Sequence, residues 1–281
     1  TMMRHTRPLL EVYHGKGQLS GNLARRVILP LPRITFTDSE EHVYKRLEEY
    51  CKGLRKVANA NSDIQTRHAL GFLLSFIRLP FASSFYALLQ TLRRRLAKIE
   101  TTLLQGLESE PDDEIVSEID AEGVISSEDE DDEREVSGFL KGRTANDLEW
   151  ERNQVRLLIG DLEQLTNPSS KMKTFLGVLD QRRQPVSRRI KQTVVFTRFY
   201  DTLTEIVDQL LWLDPGISVA CYSGRGGAVH DQTLGRMVQV DRDKVKERFL
   251  RGEIDILVCT DAAAEGLNLQ TADLLINFDL G

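Results

Sequence analysis

From residue 37 onward the apolar positions recur at three- and four-residue spacing. Thr37-Asp38-Ser39-Glu40 has the form of a capping box, with Thr37 covering backbone donors and Glu40 reaching back. The helix it opens places Val43, Leu47, Tyr50 and Leu54 on one face. A second helix is predicted over 63–79, with Ile64, Leu70, Leu73, Phe76 and Ile77, ending before Pro80. A third over 83–106 starts at the cap candidates Ser83 and Ser84 and carries Phe85, Leu88, Leu92, Leu96, Ile99 and Leu103. The same period returns over 145–166, through Leu148, Val155, Leu158, Leu162 and Leu165. After Asn167-Pro168-Ser169-Ser170, a shorter helix capped by Ser170 runs through Met172, Phe175, Leu176 and Leu179.

Beyond residue 190 the pattern changes to short, β-branched apolar runs. Thr193–Thr197 reads as a buried strand, followed by a helix with Leu203, Ile206, Leu210 and Leu211. Ile217–Tyr222 is a second strand, ending in Ser223-Gly224-Arg225-Gly226-Gly227. A helix over 241–250 carries Val245, Phe249 and Leu250, and strands follow at 254–259 and 274–278. Strands alternating with helices at this spacing predict βαβ units and a parallel sheet. The fold class is therefore α/β, a parallel sheet in the C-terminal half preceded by a mainly helical region.

Charge modifies this picture in one place. The total of −6 is unevenly spread: residues 108–135 hold fifteen Asp or Glu against one Arg, a charge of −14, which leaves +8 on the rest. The stretch 107–137 is too polar to offset chain entropy and reads as a disordered loop inserted among helices. A basic body is compatible with a nucleic-acid partner. No apolar run approaches the roughly 20 residues that span a bilayer, and no signal peptide opens the sequence, so no membrane role is expected. Cys51, Cys221 and Cys259 are widely spaced and read as reduced packing residues in a cytoplasmic protein. No Cys/His cluster has metal-ligand spacing.

Candidate chemistry collects where the strands end. Thr197 with Arg198, Ser223 with Gly224 and Arg225, and Thr260 each stand just past an apolar run, where open α/β sheets place their ligands. Hydroxyls and backbone donors there suit a phosphate backbone bound without sequence reading. Residues 260–270, Thr-Asp-Ala-Ala-Ala-Glu-Gly-Leu-Asn-Leu-Gln, follow the 254–259 strand, and Gly266 leaves room for a close approach. Arg93-Arg94-Arg95 with Lys98 splay around a helix and read as a solvated face, and the arginines at 182, 183, 188 and 189 as an exposed loop.

Together these blocks resemble the superfamily-two helicases, in particular Swi/Snf-type ATPases of the bacterial RNA-polymerase-recycling branch. Lys191–Phe199 resembles motif IV, Thr260–Gln270 motif V, and Ala272–Asp279 the strand after it; Ser170-Lys171 resembles the entry to the second lobe. The resemblance implies two RecA-like lobes with ATP and Mg²⁺ between them and duplex DNA across both. It divides the chain into the end of lobe one with a linker (1–36), a helical protrusion with the acidic insert (37–168) and the second lobe (169–281). It assigns Glu265, Gly266 and Asn268 to the nucleotide cleft. Thr197, Arg198, Ser223, Gly224, Arg225 and Thr260 fall to the nucleic-acid track. Neither the G-x-x-x-x-G-K-[ST] phosphate loop nor an Asp-Glu pair following a strand to hold magnesium is found. The chain alone is thus expected neither to bind ATP tightly nor to hydrolyse it. An RNA or DNA unwinding helicase, the motor of a restriction or phage-defence system, or a non-catalytic nucleic-acid or protein-binding module are the alternatives. The helical protrusion is the expected contact for a protein partner.

Overall fold

A computed structural model describes residues 12, 13, 15, 16, 27–60, 73, 77–105, 143–166, 168–260 and 271–279. Most of the helix expected over 63–79, the acidic stretch 107–137, and Glu265, Gly266 and Asn268 lie outside the described residues. The chain divides into two compact units, Thr1–Arg33 and Ile34–Gly281. In the first, residues 27–33 carry no regular secondary structure.

The helical part of the second unit is built on α1 (Asp38–Ala60), α2 (Phe85–Gln105) and α3 (Ala145–Glu163). The capping box forms as the sequence predicts. Thr37 N–H donates to Glu40 Oε2 at 2.7 Å, and Glu40 N–H to Thr37 Oγ1 at 3.3 Å. Val43, Leu47, Tyr50 and Leu54 are buried with Leu88 and Leu92 of α2 and Val155, Leu158 and Leu162 of α3. Residues 77–83 are helical, so the helix expected to stop before Pro80 runs through it to Ser83. Proline loses one donor there, but its fixed φ is helical, and both Pro80 and Ser83 are buried. Ser84 breaks the run and caps α2, accepting from Ala87 N–H at 3.0 Å.

The α/β part starts with α4 (Ser170–Asp180), whose N-cap is Ser169 rather than Ser170. The freed Ser170 N–H and hydroxyl donate to Glu40 instead, at 2.7 and 2.6 Å. One carboxylate therefore caps α1 and holds the start of α4. Burial would push Glu40 up, but the hydrogen bonds from Ser170 and Thr37 outweigh it and hold it below the usual carboxylate range.

The sheet holds β1 (Thr193–Thr197), β2 (Val219–Ser223), β3 (Gly226–Asp231), β4 (Arg236–Val240), β5 (Ile256–Thr260) and β6 (Leu274–Asn277), in the order β4-β3-β2-β5-β1-β6. β2, β5, β1 and β6 are parallel, as predicted. β3 and β4 are additions the sequence reading missed: they continue the sheet antiparallel from β2. Side chains alternate across the sheet. Val195, Val219, Cys221, Ile256 and Val258 pack with α4 and α5 (Tyr200–Leu213) on one face. Val194, Ala220, Leu257 and Cys259 pack with Val245 and Phe249 of α6 (Arg242–Leu250) on the other. Cys51, Cys221 and Cys259 are free and buried, as expected.

Candidate nucleic-acid interface

The strand register decides what the carboxyl edge of the sheet presents. Thr197 pairs with Thr260, and Tyr222 with Cys259, so Ser223, Thr260 and Thr197 form a row across β2, β5 and β1. The structure thus brings together three of the residues singled out from the sequence. It also shows what each is doing. Thr197 is fully buried and its hydroxyl donates to Asp279, 3.2 Å from either carboxylate oxygen. The Arg198 N–H donates to the same carboxylate. The Ser223 hydroxyl donates to the Gly226 carbonyl at 3.4 Å, and the Ser223 carbonyl accepts from the Arg242 guanidinium. The Thr260 hydroxyl is buried without a hydrogen-bond partner among the described residues, at the root of the stretch holding Glu265, Gly266 and Asn268.

Gly224 and Arg225 form a two-residue turn between β2 and β3, which closes because Gly226 sits at φ +118°. The turn is exposed at Arg225, whose guanidinium lies 4.1 Å from the centre of the Tyr200 ring. Arg242 lies 5.5 Å from the ring of Tyr222. Arginines laid against tyrosine faces lose little freedom on meeting a phosphate. Arg198, Arg225 and Arg242 thus bring three cations to one end of the sheet. Tyr200, Tyr222 and Arg242 were not predicted as part of this site, although Tyr222 and Arg242 flank the strand end and α6 start already recognised in sequence.

A second polar cluster lies directly behind this edge, where the helical part meets it. Ser83 Oγ is 2.6 Å from Asp279 Oδ1 and 2.6 Å from Thr202 Oγ1; Ser84 Oγ is 3.1 Å from Thr202 Oγ1. Lys171 donates to the carbonyls of Ala82 and Ser83 at 2.7 and 2.8 Å, capping the C-terminus of the 77–83 helix, and lies 4.4 Å from the Phe278 ring. Burial pulls the Lys171 amine down to about 8 against the attraction of Asp279 and Glu205. Burial pushes the Glu205 carboxyl up despite hydrogen bonding to Ser84 and the charge of Lys171.

The arginine clusters read as solvated have structural partners instead. Arg95 is buried and donates to Glu151. Arg94 reaches Asp201 of α5 at 2.7 Å, and Arg93 reaches Glu163 at 2.7 Å. Arg182 pairs with Asp273, Arg183 with Asp180 and Asp214, and Arg189 with Asp255. Among the described residues no group of three or more His, Cys, Asp or Glu could hold a metal, and no helix is long and apolar enough to cross a membrane.

Comparison with known proteins bears on the α/β part. Residues 170–281 match the helicase conserved C-terminal domain family. The ATP-dependent RNA helicase RhlB of Vibrio campbellii is 48% identical over 46 residues, 16% of this chain and 10% of that protein. The ATP-dependent RNA helicase DbpA of Bacillus subtilis is 32% identical over 87 residues, 31% of this chain and 15% of that protein. The ATP-dependent DNA helicase mph1 of Aspergillus niger is 25% identical over 103 residues, 37% of this chain and 8% of that protein. The matched stretches therefore span less than a sixth of these relatives. Among solved structures, the Hef helicase domain of Pyrococcus furiosus aligns with TM-score 0.44 and 15% identity, over 86% of this chain and 47% of that one.

Proposed function

We propose, from a helicase C-terminal domain over residues 170–281, that the chain is part of an ATP-dependent duplex-DNA translocase of Swi/Snf type. Residues 169–281 serve as the second lobe and 37–168 as a helical protrusion available to a protein partner. The observation that carries this reading is the carboxyl edge of the sheet. A row of strand-end hydroxyls is flanked by Arg198, Arg225 and Arg242, with two of the arginines placed against tyrosine rings. The three arginines offer cations to phosphates, contacts that position a nucleic acid without reading its bases.

Glu265, Gly266 and Asn268 are the residues assigned to the nucleotide cleft, which ATP and Mg²⁺ would occupy together with groups of the other lobe; bound ATP would supply the energy of stepping. Thr260, whose buried hydroxyl has no hydrogen-bond partner among the described residues, ends β5 just before that stretch in sequence. Three buried free thiols suit a reducing cytoplasmic setting.

Fluorescence anisotropy with labelled duplex DNA and with single-stranded RNA of equal length tests the reading. Duplex DNA is expected to bind more tightly, with affinity falling steeply as salt rises. Arg225→Ala should lower the slope of log affinity against log salt by about one. RNA binding of equal or greater strength would favour the unwinding-helicase alternative, to which the RNA helicases among the relatives point. Salt-independent binding, or none, would leave only the non-catalytic protein-binding module.

A further inference from the structure

Asp279 holds two parts of the molecule with one carboxylate. From the sheet it accepts the Thr197 hydroxyl, at 3.2 Å, and the Arg198 N–H. From the helical part it accepts the Ser83 hydroxyl, at 2.6 Å. The segment after β1 is therefore fixed at its beginning. It is fixed at its other end by the same helix break: Thr202 lies 2.6 Å from Ser83 and 3.1 Å from Ser84, and Asp201 accepts from Arg94 at 2.7 Å. Between those ends stand Arg198 and Tyr200, the ring against which Arg225 lies.

We propose that Asp279 is the positioning residue for the nucleic-acid contact: it sets the turn after β1 for the phosphate backbone, braced from behind by the Ser83–Ser84 helix break. This rests on the phosphate-binding role of Arg198 and Arg225 proposed above. Asp279 touches no phosphate in this scheme. As an anion behind a phosphate-binding surface it opposes binding electrostatically, so removing it would strengthen binding if charge were all that mattered. Its contribution lies in orientation. The buried setting supports that: Ser83, Thr197 and Thr202 are each fully buried, which leaves their hydroxyls no water to turn to. The helical part consequently acts on that edge through Ser83 and Ser84.

The test is anisotropy with duplex DNA on the full chain, with thermal melts followed by circular dichroism for each variant. Arg198→Ala and Arg225→Ala should weaken binding and lower the salt slope. Asp279→Ala should weaken binding about tenfold, the equivalent of one lost charge-assisted hydrogen bond, with the salt slope unchanged because no phosphate contact is removed. Asp279→Asn, whose one carbonyl oxygen can still accept from Arg198 N–H and Thr197 while its amide donates to Ser83 Oγ, should recover most of the loss. Ser83→Ala should weaken binding about threefold by removing one neutral brace. If Asp279→Ala unfolds, Asp279→Asn and Ser83→Ala carry the test with the fold intact. Unchanged or tighter binding in a folded Asp279→Ala or Ser83→Ala protein overturns the positioning role. Unchanged binding in Arg198→Ala and Arg225→Ala overturns the phosphate-contact reading instead, and the two failures are thereby told apart.

Discussion

Replacing Glu151 with alanine should destabilise the helical part by about 3–5 kcal/mol, the cost of leaving buried charge without its counter-ion. Glu151 is fully buried at the meeting point of three elements. Arg95 of α2 donates to it through Nε at 2.8 Å and Nη2 at 3.1 Å, Arg143 donates from just before α3, and the Tyr50 hydroxyl of α1 donates at 2.8 Å. One carboxylate thus answers two buried guanidinium groups and a phenol. Urea denaturation followed by circular dichroism at neutral pH measures the loss, and a change below about 1 kcal/mol would contradict it. Replacing the three charged residues together by methionine and leucine, with Tyr50→Phe so that no buried hydroxyl is left unpaired, should restore most of the stability, since the apolar swap also removes the desolvation cost.

The same carboxylate gives an acid window of definite sign. Burial alone would raise it, but Arg95 and Arg143 outweigh burial and hold it down to about 2, from an ordinary 4.5. A depressed folded-state value means the stabilisation is complete above the ordinary value and is lost as pH falls from there through 2. Denaturation midpoints taken across that range should fall more steeply for the native chain than for Glu151→Gln, which has no proton to gain.

Gly227→Val should disrupt the packing of β3 on α6 at a cost of about 1–3 kcal/mol. A Cβ at this position would lie 2.7 Å from Val245 Cγ2 and 2.9 Å from the Val240 carbonyl oxygen. Neither neighbour yields cheaply: one is a core side chain, and the other is the backbone of the paired strand β4. Gly160→Ala is the matched control, an interior position of α3 with nothing within 4 Å of the added methyl. Removing a glycine from a helix there should raise stability by up to about 1 kcal/mol. Thermal melts of both variants decide the matter, and a Gly227→Val protein as stable as the parent would show that the strand can shift.

How much of this was legible beforehand follows from the range of the forces involved. Helical faces such as Val43, Leu47, Tyr50 and Leu54, and the Thr37–Glu40 box, are local and were readable. So were the parallel strands, whose apolar runs are short and β-branched. β4 was not, because Arg236–Val240 lies at the edge of the sheet and none of its residues is buried; nor was β3, whose buried run Gly227–His230 offers only Ala228 and Val229 as apolar side chains. The row of Ser223, Thr260 and Thr197 follows from strand ends once the order is known. The partners of Arg94, Arg95 and Asp279 do not, since each is supplied by an element distant in sequence. A run of three arginines looks solvated until its acids are folded against it.

The hydroxyl of Ser83 and the carboxylate of Asp279 are 196 residues apart in the chain. Closing so long a loop gains nothing until both ends exist as structure. Asp279 acquires its place only when β6, the outermost parallel strand in the sheet order, has paired with β1. The seat of the helix break is therefore expected late in folding, after the helical bundle, whose contacts close shorter loops, such as the 101 residues between Tyr50 and Glu151. Pulse-labelled hydrogen exchange should protect the amides of α1 to α3 before that of Arg198. In this sense the Ser83–Asp279 contact is a completion signal: it closes only on a finished sheet.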